Sequence, residues 1–154
     1  KDRQFSIFNY VFSIGSGKYR RTYAYVVFAF KFNGSFPHIY LNNKHNSYTI
    51  KTGEKIPLPL EFEKQFLLSA PRKYEIEALQ IFTPDVLAKI LDNGFTYDIE
   101  FVEKEVLMFV DGVINDFEKL EKDFNRALQL EDLLDEKLDR FKFNTIGNMP
   151  HTLN

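Results

Sequence analysis

Cysteine and tryptophan are absent from this 154-residue chain, and methionine (two) and histidine (three) are scarce. Without cysteine there is neither a disulfide framework nor thiolate chemistry, although the compartment stays open. His38, His45 and His151 share no metal-ligand spacing, so a metal site would need carboxylates brought in from distant parts of the chain. No apolar run approaches the roughly 18 residues of a spanning helix, and no signal-peptide pattern is present. Because the chain starts at Lys1 and enters an aromatic-rich segment almost at once, it reads as an excised or processed piece of something longer. The missing membrane segment therefore says little about a parent protein.

Aromatic residues are abundant: 17 Phe and eight Tyr within a 44% hydrophobic composition. This is enough for the core of one domain, and it suits a sheet, because aromatic and β-branched side chains fill pleated surfaces well. The net charge of −2 is unevenly spread. Residues 1–55 carry nine Lys/Arg against two Asp/Glu, whereas both later thirds are acidic. A basic first third is either a patch for anions or the complement of the acidic remainder within the fold, and the second is favoured.

Periodicity supplies the elements. Phe8, Tyr10, Phe12 and Ile14 alternate in a first strand, residues 15–18 turn, and 21–32 form a long central strand, giving a hairpin with Lys18, Arg20 and Arg21 near its tip. Asn33-Gly34-Ser35 predicts a turn before a short strand at 38–41. Residues 42–53 read as a polar surface excursion, and 60–62 and 66–68 as extended segments. Residues 77–82 alternate like a strand. Thr83, Pro84 and Asp85 then open a helix over 84–93, with Val86, Leu87, Ile90 and Leu91 as its apolar stripe and Gly94 as its stop. Residues 97–102 and 106–110 predict a hairpin about Glu103-Lys104-Glu105. From Val113 the period is helical through Val113, Phe117, Leu120, Phe124 and Leu128, then rotates to Leu130, Leu133, Leu134, Leu138 and Phe141, predicting a break near Gln129 or a second covered surface. The predicted domain is 1–142, with a polar tail at 143–154.

The Ser16–Thr22 hairpin, the Pro37-His38-Ile39-Tyr40-Leu41 strand, the Tyr74–Leu79 strand and the Thr83-Pro84-Asp85-Val86 helix start together resemble an uncharacterised bacterial domain family found in membrane-associated proteins. The resemblance covers roughly residues 3–110 and brings no catalytic residues. It implies a soluble head on a membrane-associated parent.

Gly15-Ser16-Gly17-Lys18 is no phosphate loop: Phe12 stands where the first glycine belongs, Tyr19 follows the lysine, and a strand follows instead of a helix. Lys18, Arg20 and Arg21, interleaved with Tyr19 and Tyr23, form either a basic-aromatic contact for phosphate groups or a solvated hairpin end. Glu61 with Glu63, Glu75 with Glu77, and Asp98 with Glu100 are i,i+2 pairs sharing a strand face, usable in acid–base work if buried and otherwise solubilising. No serine has nucleophile-elbow context.

These readings predict an α+β domain: a largely antiparallel sheet of seven to eight strands with a short helix and a long C-terminal helix packed on it. The leading function is a non-enzymatic interaction or scaffold domain with a protein partner. The alternative is an anion-binding module built on Lys18, Arg20 and Arg21, touching an anionic membrane surface ahead of nucleic acid. An enzyme with a site hidden in the fold is third. No motif asks for a cofactor. The final helix either packs on the domain, the favoured reading, or mediates homo-oligomerisation.

Overall fold

One 23-residue strand, β2 (Arg21–Asn43), organises the fold. The computed structural model describes residues 2–46 and 53–147, with side chains described as far as Arg140. The other elements are β1 (Phe5–Ile14), β3 (Glu54–Ile56), α1 (Leu60–Glu63), β4 (Phe66–Ala70), α2 (Glu75–Ile81), α3 (Pro84–Asp92), β5 (Asp98–Asp111) and α4 (Phe117–Gly147). β1 pairs with the first half of β2, from Phe5 opposite Phe30 to Ile14 opposite Arg21, and so closes the predicted hairpin. β4 pairs with the last residues of β2, β3 pairs with β4, and β5 pairs with β2 over most of its length, every pair antiparallel.

The mixed α+β class and the antiparallel sheet follow the sequence, but the described sheet has five strands, not seven or eight. Asn33-Gly34-Ser35 does not reverse the chain. Gly34 takes φ 137°, the β2–β5 register shifts between Lys31 and Phe36 and again before Ile39, and the strand continues. Opposite this irregularity Glu103 takes φ 53°, so the predicted 97–102/106–110 hairpin is one kinked strand, β5. Two breaks lie at the same level of the sheet, and the ladder resumes beyond both.

Residues 77–82 are the clearest correction: 75–81 form helix α2. Ala78, Ile81 and Phe82 are buried at helical spacing, while Ile76 and Leu79 are exposed, so the alternation was coincidental. The 60–62 segment is likewise a helical turn, α1, that buries Phe62. Of the predicted excursion, Asn42 and Asn43 are buried strand residues, and 47–52 lie outside the described residues.

α3 stands as read, with Thr83 at its N-cap and Pro84 in its first turn. The Thr83 hydroxyl makes no capping bond, however. Gly94 stops the helix with φ 62°. α4 is continuous through Gln129 and runs past the predicted boundary at 142 to Gly147. Its buried line is Ala127, Leu130, Leu134 and Leu138, with Leu120 and Phe124 packed beside it, whereas Val113 and Phe117 are exposed. Favoured packing on the domain is thus what the described residues show. Tyr97 helps to hold the helix down, its buried hydroxyl donating to Asp123 at 3.0 Å.

The helices cover one face of the sheet. On this inner face Phe28, Phe30, Ile39, Leu41, Ile99, Phe101, Val106 and Met108 meet Val86, Leu87 and Ile90 of α3 and the α4 line. Phe28 stacks on Tyr97 at 5.1 Å, and Phe30 lies parallel to Phe124 at 6.2 Å. Each such side chain contributes about 1.5–3 kcal/mol on burial. No described helix covers the other face, the outer face.

Candidate functional site

The described helices leave the outer face of the sheet open. Strand alternation places Phe8, Tyr10 and Phe12 of β1 on it, opposite Val27, Tyr25 and Tyr23 of β2. Leu107 and Phe109 of β5 join them from the other side of β2. Tyr25, Val27 and Phe109 form a buried floor, and Phe8 and Tyr10 stand above it at 40% and 54% exposure. The rings support one another: Phe12 stacks on Tyr23 at 5.2 Å, and Tyr25 meets the ring of Phe109 edge-on at 5.7 Å. Together they line an apolar groove of about 490 Å³ whose only charged lining residues, among those described, are Glu100 and Glu105.

The two carboxylates differ. Glu100 Oε1 lies 2.5 Å from His38 Nε2, so it is already occupied. Glu105 is half-buried and makes no ion pair among the described residues, although Lys31 stands opposite it in register.

Beyond Glu100 the outer face turns polar around Asp98, which is 1% exposed. Its carboxylate accepts from the Tyr40 hydroxyl (2.5 Å), Asn42 Nδ2 (3.0 Å), the Asn43 backbone N–H (2.8 Å) and Asn46 Nδ2 (2.7 Å). Burial pushes the Asp98 carboxyl above the usual carboxylate range, while these hydrogen bonds hold it down. The Asp98–Glu100 pair therefore does share a face, but that face is not solvated. Asp98 is shut away from any substrate and acts as a structural acceptor. Glu75 and Glu77 fall on α2 and Glu61 and Glu63 on α1, so neither pair shares a strand face.

No protein-family model, curated protein or solved structure matches the chain. The geometry alone therefore carries the functional argument. Among the described residues no three His, Cys, Asp or Glu side chains are placed to hold a metal ion, and no helix is long and apolar enough to cross a membrane. His45 meets Gln65 at 3.0 Å, away from His38, and His151 lies outside the described residues.

The structure brings Lys18, Arg20 and Arg21 together at the exposed tip of the β1–β2 hairpin. A 3-10 turn, Gly17–Tyr19, carries Lys18, whose ammonium sits 5.2 Å from the Tyr19 ring centroid. Arg20 reaches back to Ser13 Oγ at 3.3 Å. None of the three makes an ion pair with a described carboxylate, in contrast to Arg3, which pairs with Glu131 and Asp132. Gly15 is required here: at φ +84° an added Cβ would lie 2.7 Å from the Tyr19 carbonyl oxygen.

Reading strands one at a time missed the groove. Its signal was present in the hairpin register: once residues 5–14 fold back on 21–30, the alternate rings of both strands must share a face.

Proposed function

We propose that this domain is a non-enzymatic interaction module whose working surface is the outer sheet face. The observation that carries the reading is the groove formed by Phe8, Tyr10, Phe12, Tyr25, Val27, Leu107 and Phe109, an apolar face left open where the opposite face is covered by helices. Glu105 at its margin, which makes no ion pair among the described residues, favours a partner segment that is apolar with basic flanking residues. The resemblance across residues 3–110 adds the reading of this module as the head of a membrane-associated bacterial protein.

The absence of tryptophan makes the test direct. A lysine-flanked Leu-Trp-Leu peptide is expected to shift its emission to the blue on binding, and a glutamate-flanked peptide to bind about tenfold more weakly, a difference of about 1.4 kcal/mol. Tyr10→Ser is expected to weaken the basic peptide, and Glu105→Lys to reverse the charge preference. No shift with either peptide, or a shift that both variants leave unchanged, would refute the reading.

A second reading, an anion contact at the hairpin tip, is supported by Lys18, Arg20 and Arg21, three cations that make no ion pair among the described residues. A lipid headgroup is its favoured ligand.

A further inference from the structure

The free edges of the sheet are unequal. β5 is interrupted by a left-handed kink and the charged run Glu103-Lys104-Glu105, and β3 is three residues long with two of them charged. Both are ordinary ways of protecting an edge. β1 has neither. Its ten residues, FSIFNYVFSI, include no charge, proline or glycine, and Phe5, Phe8, Tyr10, Val11 and Ile14 are all at least 40% exposed.

The backbone register shows what that edge offers. Lys31 N–H donates to the Gln4 carbonyl at 3.0 Å, continuing the β1–β2 pairing, so the even-numbered residues of β1 spend their backbone groups on β2. On the far side of β2, Gly112 N–H donates to the Ala24 carbonyl at 2.9 Å, which gives the same alternation. The N–H and C=O groups of Phe5, Ile7, Asn9, Val11 and Ser13 therefore point outward from the sheet.

We propose that β1 pairs antiparallel with β1 of a second copy of this chain, joining two five-stranded sheets into one across a two-fold axis. Directly opposed residues in an antiparallel pair lie on the same face, so the axis falls on a residue and not between two, and Asn9 or Tyr10 gives the longest ladder, nine residues or about 30 Å. The strand suits itself as partner. It has no charge to repel its own copy, and its outer rings, Phe8, Tyr10 and Phe12, fall beside the same rings of the second copy, where aromatic cross-strand pairs stabilise a sheet.

The ends are also complementary. Antiparallel pairing sets the tip carrying Lys18, Arg20 and Arg21 against the start of the other β1, where Arg3 binds Glu131 and the exposed Asp132 of α4. Unpaired cations of one copy thus approach an acidic helix of the other. The backbone contact lies on the sheet edge, and the rings it brings beside their copies, Phe8, Tyr10 and Phe12, also form the β1 wall of the outer-face groove.

Sedimentation velocity on the full chain over a concentration series tests this. The chain is expected to dimerise reversibly with a dissociation constant between about 1 μM and 1 mM. Val11→Pro removes an outward N–H without touching the β1–β2 ladder, and Val11→Lys places a charge on the edge. Both are expected to weaken the dimer at least tenfold, and circular dichroism spectra matching the parent chain would show that each remains folded. Phe117→Lys, on α4, is expected to leave it unchanged. With no native thiol present, Tyr10→Cys is expected to form an intermolecular disulfide on oxidation where the axis falls at Tyr10, and Asn9→Cys where it falls at Asn9. A monomer at every concentration up to about 1 mM, or a dimer that moves with Phe117→Lys and not with the two Val11 variants, overturns the proposal.

Discussion

The hydroxyl of Tyr40 donates to the carboxylate of Asp98 at 2.5 Å, tying β2 to β5 beneath the outer surface of the sheet. Both residues are fully buried, and the same carboxylate collects donors from Asn42, Asn43 and Asn46. One side chain thus fixes the end of β2, the turn after it and the start of β5. Asp98→Ala would leave several buried donors without an acceptor and is expected to cost about 3–5 kcal/mol, against about 1–2 kcal/mol for Tyr40→Phe. Urea denaturation of both variants checks the order; equal, small losses would remove Asp98 from its structural role.

The same carboxyl makes stability depend on pH. Its folded pKa lies above the unfolded value, so the folded chain holds the proton more tightly. Its contribution is full below the unfolded pKa of about 3.9 and declines as pH rises through the folded value. Asp98→Asn cannot titrate and is expected to lack this decline, whatever its absolute stability. Denaturation midpoints of the two proteins measured from pH 4 to pH 7 provide the comparison, and parallel profiles would contradict the burial argument.

On α4, residues that look equivalent in sequence have unequal weight. Leu134 is fully buried and Phe117 is 78% exposed. Leu134→Ala is expected to cost about 2–5 kcal/mol, and Phe117→Ala to stay within about 0.5 kcal/mol of the parent chain. Thermal unfolding distinguishes them, and a large loss at Phe117 would mean that the helix is rotated from the position described.

Glu103 is the one described non-glycine residue with positive φ, at 53°. A side chain in that region costs about 1–2 kcal/mol, so Glu103→Gly is expected to be neutral or stabilising by up to about 1 kcal/mol. Glu103→Val should destabilise by more than any loss of charge at this exposed position explains. A stability loss on Glu103→Gly would show that the kink is not strained.

The hairpin tip predicts salt-sensitive adhesion. Sedimentation with anionic liposomes is expected to pull down the chain at low salt and less at high salt, and not to pull down the Lys18→Glu/Arg20→Glu/Arg21→Glu variant. Neutral liposomes serve as the control. Binding that ignores lipid charge or survives the triple reversal would end the anion reading.

Local signals were legible in the sequence where nothing distant competed with them. The β1–β2 hairpin and α3 were readable because turn residues, a proline in the first helical turn and a glycine stop all act within a few positions. The segment 77–82 was misread because a short apolar run fits either period, and only packing under the sheet selects the helical one. Two predicted turns vanished for a different reason. Asn33-Gly34-Ser35 and Glu103-Lys104-Glu105 meet across the β2–β5 ladder, and each strand is carried past its break by its neighbour, a relationship no single segment contains. Asp98 and the groove were hidden likewise: Tyr40 and Asp98 are 58 residues apart, and the groove draws on β1, β2 and β5 together. Lys18, Arg20 and Arg21 are carried on a single turn, so their position at the hairpin tip was legible in the sequence.

That β2 runs from one end of the sheet to the other, continuing past its irregularity at 31–39, also bears on how the chain reaches its structure. β1 and β4 occupy different stretches of the same strand, and β5, arriving some 70 residues after the β1–β2 hairpin, spans both. No cut through β2 leaves both halves with their ladders complete, because β5 pairs with both stretches. The hairpin can close early, but its inner face waits for a partner made much later in the chain. Such dependence on long-range pairing slows folding and makes loss of structure all-or-none.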